Sequence, residues 1–199
     1  MSLIRNEKPL DSQTGANVFS LGYTDPATSE KVFLTPKIDP SVFLAPNATV
    51  VGDVTIGENS SVWFNAVLRG DFKPIRVGKY TNIQEGVAVH VMYDQETVIG
   101  DYVTIGHNAV IHCNKIGNNC LIGMGAVLLG YCEIGENTVI GAGTLIAQHK
   151  KIPSNSLVYG RPAKIVRVLT EDEVDALHQG GIKYYDGVAK KYMEKWEIR

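Results

Sequence analysis

The sequence predicts an all-β protein, a parallel β-helix followed by a C-terminal α-helical segment. First, an aliphatic residue returns at every sixth position between Leu44 and Val158, usually followed by Gly or another small residue. Second, the fourth residue after each aliphatic one is small or β-branched, as in Ala48, Val54, Ser60, Ala66, Thr81 and Val87. Third, this beat stops after Val168, where a helix-opening signal replaces it. A fixed period means stacked repeats, and six residues is too short for helical repeats. It fits short strands that form the sides of a coil, with two inward positions per side.

Residues 1–31 lack the beat and read as a lead-in to a β-helix domain spanning 1–168, with Gly22 and Asp25-Pro26 as turns. The phased positions then run Leu44, Val50, Ile56, Val62 and Leu68, followed by Val77, Ile83 and Val89, and by Ile99, Ile105 and Ile111. A last series runs Ile116, Ile122, Leu128, Ile134, Ile140, Ile146, Ile152 and Val158. Cys120 and Cys132 fall on the second inward position and read as core packing. Extra residues interrupt the phase around Phe72–Ile75 and around Tyr93–Glu96, and one residue is missing between Ile111 and Ile116. Insertions in a solenoid become protruding loops, often near the functional face. Residues 169–199 form the second unit. Thr170 to Glu173 is a capping box, and Val174, Leu177, Ile182, Tyr185, Val188 and Tyr192 give the helix an apolar face. Gly180-Gly181 is expected to break that helix. Trp63 and Tyr159 read as packing or interface residues, and His149, His178 and Cys113 as surface or hydrogen-bonded ones.

Composition narrows the function. A chain of 199 residues can bury a core of its own. A net charge of −2 and a pI of about 6.2 give no electrostatic case for nucleic acid. No apolar run spans a bilayer and the first twelve residues lack a signal-like apolar stretch, so no membrane role is expected. Three cysteines without a CxxC pair suggest neither a disulfide framework nor a zinc ribbon, which fits a cytoplasmic protein with reduced thiols.

The phase also exposes a candidate site. If three hexads make one coil, equivalent positions stack about 4.8 Å apart. Leu68, Val89 and Ile111 are then equivalent, so the next residues, Arg69, His90 and His112, form one outward column. On the preceding face Ile83 and Ile105 are equivalent, which stacks Glu85 with His107 and places Gln84 beside them. Two imidazoles one strand apart can bind a single metal, and a third completes a three-histidine site with a position open for water. His107 lies near a corner of its own coil, so it is expected to serve a neighbouring chain, and such a contact closes at three subunits.

The repeated Ile-Gly at 56, 99, 105, 116, 122, 134 and 140 resembles the bacterial hexapeptide-repeat proteins, which implies a left-handed coil. More sharply, Arg69-Gly70-Asp71, Asn82-Ile83-Gln84-Glu85, His90, the His107/His112 pair and Gly160-Arg161-Pro162-Ala163-Lys164 resemble the γ-class carbonic anhydrase family. That resemblance implies reversible hydration of carbon dioxide to bicarbonate by a metal-bound hydroxide in a homotrimer. His90 and His112 of one chain and His107 of its neighbour would hold zinc, with iron(II) or cobalt as alternatives. Arg69, Asp71 and Glu85 would pair across the interface, and Gln84 would hydrogen-bond the hydroxide or substrate. The chain departs from the pattern in its short insertions, where Asp94 and Glu96 are the only acids, and in Glu85 where an Asp is familiar. Two other readings stand beside it. One is a hexapeptide-repeat acyltransferase using coenzyme A, and the other is a metal-binding relative without turnover.

Overall fold

In a computed structural model of the chain, residues 4–5 and 15–196 are described. The hexads wind into a parallel β-solenoid with three faces. One face stacks Phe43–Leu44, Ser61–Val62, Asn82–Ile83, Thr104–Ile105, Leu121–Ile122, Val139–Ile140 and Ser156–Tyr159 in parallel. The antiparallel strand Lys164–Val168 closes its lower end. The other two faces form a continuous sheet, because the strands Thr49–Ile56 and Val67–Val77 run unbroken around the corner between them. The solenoid starts earlier than the beat does: Asn17–Phe19 already pairs in parallel with Thr49–Val51. Leu21–Thr24 and Lys31–Leu34 then form an antiparallel hairpin inside the lead-in.

Both inward positions of each hexad are buried. Val50, Val62, Leu68, Ile83, Ile105 and Ile122 are fully enclosed, as are the fourth-position residues Ala48, Ala66, Thr81, Ala109 and Cys132. At roughly 25 cal/mol per Å² of apolar area, this single continuous column supplies the main term holding the coils together. Left-handed backbone recurs at two corners. Asn47, Asn65, Asn108, Gly86, Gly125 and Gly143 occupy one, and Asn59, Asn119, Asn137, Asn155, Tyr80 and Tyr102 the other. Asn tolerates this conformation, and its amide adds a ladder: Asn119 Nδ2 donates to Asn137 Oδ1 at 2.9 Å, and Asn137 Nδ2 to Asn155 Oδ1 at 3.0 Å. All three phase breaks fall at the third corner, where the regular coils still turn through left-handed Tyr131 and His149. Cys113 sits in the shortened stretch there. It is 1 % exposed and packs in the central cluster with Cys132, so it belongs to the core and not the surface.

The C-terminal helix, Glu171–Tyr184, begins at the expected capping box. It does not break at Gly180-Gly181. Gly181 is buried against the Tyr80 carbonyl, where a Cβ would stand 3.0 Å from the oxygen. Tertiary packing therefore overrides the poor intrinsic propensity of the pair. The irregularity comes later, as a π-turn over Tyr185–Ala189 before Lys190–Trp196. One wide turn shifts the helical phase, so Tyr184 and Tyr185, Val188 and Ala189, and Tyr192 and Met193 all pack on the solenoid. They cover Phe43, Trp63 and Phe64 on its upper coils.

The helix start carries a pH dependence. Arg167 grips Glu173 with two bonds of 2.7 Å, and the Thr170 N–H donates to Glu173 Oε2 at 2.9 Å. The Arg167 bonds first, then the Thr170 N–H, hold the Glu173 carboxyl down at about 2, against an ordinary 4.5. A depressed carboxylate stabilises the fold above its unfolded pKa, and that contribution disappears as pH falls through the folded value. Protection factors of the amides in the first helical turn, taken against the unfolded-chain rate at each pH, are therefore expected to hold above about pH 4.5 and to fall towards pH 2. Glu173→Gln should flatten the profile; an unchanged profile in that variant would assign the effect to another group.

Candidate metal centre

Strand register sets the site. Val89 lies opposite Leu68 on one side and Ile111 on the other, and His90 lies opposite Arg69. The outward column Arg69, His90, His112 therefore exists as the phase requires. The two imidazole centroids are 5.1 Å apart, close to one strand spacing. Their nitrogens converge further: His90 Nδ1 lies 3.1 Å from His112 Nε2. On the far side of the ring, His90 Nε2 contacts Asp71 Oδ1 at 2.9 Å, and Arg69 pairs with Asp71 Oδ2. A carboxylate only accepts, so the Nε2 of His90 carries the proton and its Nδ1 presents a lone pair to His112.

Electrostatics favour neutral donors here. Burial pushes the Asp71 carboxyl up, but its bonds to His90 and Arg69 outweigh this and hold it below the ordinary value. Burial lowers the pKa of His112, and the electrostatics of the neighbouring His90 and Arg69 side chains lower it further. An imidazole that resists protonation is the form that ligates a cation.

On the neighbouring face, Ile83 pairs with Ile105, which stacks Glu85 over His107. His107 Nδ1 lies 2.7 Å from Glu85 Oε2, yet that buried oxygen has no aligned hydrogen bond, so the contact is close but off axis. Gln84 is nearly buried beside it. Among the described residues, no group of three or more His, Cys, Asp and Glu side chains within one chain is placed to hold a metal. The structure thus brings His90, His112, Asp71 and Arg69 together, and places Gln84, Glu85 and His107 around the corner. Two open grooves of about 550 and 630 Å³ lie on the third face, along Lys115 and Glu133. Neither is lined by the three histidines, and their charged rims read as a solvated surface.

Several supporting residues escaped the sequence reading. Trp63 Nε1 donates to Asn82 Oδ1 at 2.8 Å beneath the C-terminal helix, and Tyr184 of that helix stands edge-on against Trp63, with centroids 5.7 Å apart. Asn82 stood inside the quoted motif, whereas Tyr184 gave no signal because the π-turn sets its direction. Phe72 and Tyr93 bring the two insertions together, with centroids 4.7 Å apart, and Phe72 stands edge-on to His90 at 6.3 Å. Asp94, in the second insertion, accepts a hydrogen bond from Tyr131 Oη at 2.9 Å.

Comparisons with known proteins agree with this layout. The family described as bacterial transferase hexapeptide (six repeats) matches residues 35–70 and 115–148. A solved structure of a putative acetyltransferase from Bacillus cereus is 40 % identical, with a TM-score of 0.77 over 81 % of this chain and 93 % of that one. A probable carbonic anhydrase from Methanocaldococcus jannaschii is 52 % identical over 147 residues, covering 74 % of this chain and 92 % of the relative. The mitochondrial gamma carbonic anhydrase 2 of Arabidopsis thaliana is 42 % identical over 75 % of this chain and 56 % of its own length. With identity at this level extending over nearly the whole archaeal relative, the solenoid and its histidine-bearing coils place the chain in the γ-class carbonic anhydrase family.

Proposed function

We propose that this protein is a metal-dependent carbonic anhydrase that interconverts carbon dioxide and bicarbonate between subunits of a homotrimer. The observation that carries this reading is the 3.1 Å approach of His90 Nδ1 to His112 Nε2. Two ligands of one tetrahedral zinc-like cation, each about 2.0–2.1 Å from it, stand roughly 3.3 Å apart, so the pair has the spacing of co-ligands. His107 of a neighbouring chain supplies the third nitrogen, because within one chain it turns to Glu85. Zinc suits three imidazoles, as do iron(II) and cobalt. Such a cation supplies Lewis acidity and brings the pKa of a coordinated water near neutrality.

The chain's own residues supply the rest. Asp71 holds the proton on His90 Nε2 and so keeps Nδ1 available as a ligand. Arg69 pairs with the other oxygen of Asp71 and fixes its orientation. Gln84 is the uncharged donor and acceptor beside the site, suited to orienting carbon dioxide or bicarbonate by a hydrogen bond to oxygen. Exposed Val67 and Val110 flank the histidine column and give a second subunit an apolar surface on which to dock. No helix among the described residues is long and apolar enough to cross a membrane. Together with three free cysteines, this supports a place in the cytoplasm.

Protein purified without oxygen or chelators is expected to carry about one transition metal per chain, the stoichiometry of a three-histidine site. Chelation should abolish carbon dioxide hydration, and zinc, iron(II) or cobalt should restore it. Folded, metal-free protein that binds acetyl-coenzyme A tightly would move the assignment to acyl transfer. Bound metal without hydration would leave a non-catalytic relative.

A further inference from the structure

The second insertion, around Tyr93–Glu96, is tied down along its length and yet leaves its largest side chain in the open. At its neck, Thr97 Oγ1 shares its proton between the carbonyls of Cys113 at 2.8 Å and His90 at 3.2 Å. Met92 seats its sulfur on the coil below, where a Cβ on Gly130 would stand 2.7 Å from it. Asp94 Oδ1 accepts from Tyr131 Oη at 2.9 Å, and the Tyr131 ring is held in turn by stacking on His149 at 4.8 Å. Between these ties stands Tyr93, 76 % exposed, with its ring 4.7 Å from that of Phe72. Phe72 is fixed from behind. Its N–H donates to Asp71 Oδ1 at 3.0 Å, the same oxygen that meets His90 Nε2, and its ring stands edge-on to the His90 imidazole at 6.3 Å. Rings this exposed bury little apolar area and add little to stability. The anchors of the loop need neither of them. What the two rings share is their place at the flank of His90.

We propose that Phe72 and Tyr93 form a fixed aromatic screen beside the metal centre, which admits small substrates and turns away bulky ones. A small uncharged gas passes such an apolar edge. A ligand carrying an aryl group has to displace Phe72, whose backbone is pinned to Asp71. The screen thus sets specificity without touching the reacting atoms. It rests on the metal-dependent reading of His90 and His112, and its bearing on carbon dioxide rests on the carbonic anhydrase reading.

Cobalt-loaded protein reports a bound anion through its visible spectrum, and formate and benzoate present the same carboxylate on bodies of different size. Phe72→Ala is expected to tighten benzoate about tenfold and to leave formate within about twofold. Tyr93→Ala should act in the same direction, and the double variant should gain less than the two changes summed, because each ring rests on the other. Tyr131→Phe keeps the stacked ring, frees Asp94 and should tighten benzoate about threefold, the worth of one hydrogen bond. The charge of Lys73 acts on both anions alike and cancels in their ratio. An unchanged benzoate-to-formate ratio in Phe72→Ala would overturn the proposal. So would dissociation of the oligomer in that variant at an unchanged ratio, since the rings would then serve the interface between subunits. Protein that takes up no cobalt would remove the metal centre and the screen together. If cobalt binds and the ratio shifts while wild-type protein hydrates no carbon dioxide, the screen stands and the carbonic anhydrase reading fails.

Discussion

Mixing His90→Ala chains with His107→Ala chains, after separate unfolding, is expected to restore about a quarter of the sites that neither variant forms alone. Each variant alone should lose hydration activity by on the order of a thousandfold or more, about 4 kcal/mol of lost transition-state stabilisation. His90 and His112 belong to one outward column, whereas His107 faces Glu85 around the corner. A site made from two chains needs an intact His90 in one and an intact His107 in the next. In a randomly mixed trimer about half of the chains meet each condition, and about a quarter of the interfaces meet both. Hydration assays and metal counts on the re-formed trimers measure that fraction. Hybrid trimers with no recovered activity or metal would rule out ligands from two chains. Full activity in the His107→Ala protein alone would remove that residue from the site.

Much of this geometry was legible before any coordinates. The hexad beat is a burial rule, since every second inward position must be small for a narrow coil to close, and Ala48, Thr81 and Ala126 are all fully enclosed. The phase carried the histidine column because parallel strands keep equivalent residues in register across loops of any length, and His90 duly lies opposite Arg69. Features fixed by tertiary contacts were not legible. Cys113 lies between Ile111 and Ile116, where the missing residue suspends the phase, so nothing in the pattern marked it as inward. Gly180-Gly181 looked like a helix stop because propensity is local, while the close approach of Gly181 to the Tyr80 carbonyl is not. Tyr184 was missed for a related reason. A regular helix presents Tyr184 and Tyr185 a hundred degrees apart, and only the π-turn gives both a place on the solenoid.

The glycine after each aliphatic residue predicts the largest effect on stability. Gly123 has no positive φ, yet a Cβ there would stand 2.4 Å from the Ala142 nitrogen and 2.7 Å from the Gly141 carbonyl carbon. Both are backbone atoms of the next coil, so no side-chain rotation relieves the clash. Gly123→Ala is expected to destabilise the protein by about 3 kcal/mol or more, lowering Tm by roughly 6–12 °C. Gly125, two residues on, is the contrasting case. It adopts φ +64°, and nothing lies within 4 Å of the Cβ it lacks. Asn47, Asn65 and Asn108 hold the same corner position in other coils, so Gly125→Asn should change stability by no more than about 0.5 kcal/mol. Calorimetry of the two variants separates crowding between coils from backbone strain within one. Equal, small shifts would show that the coils spread freely. The consequence reaches the site, because a Cβ on Gly106, just before His107, would meet the Met124 nitrogen at 2.8 Å and the Gly123 carbonyl carbon at 3.1 Å. Gly106 thus sets the spacing between the coil that carries His107 and the one below it, and Gly123 sets the spacing one coil further down. Pushing the first of these pairs apart should displace His107 from its metal-binding position, so Gly106→Ala is expected to lose metal to a chelator faster than Gly125→Asn even at temperatures where both remain folded.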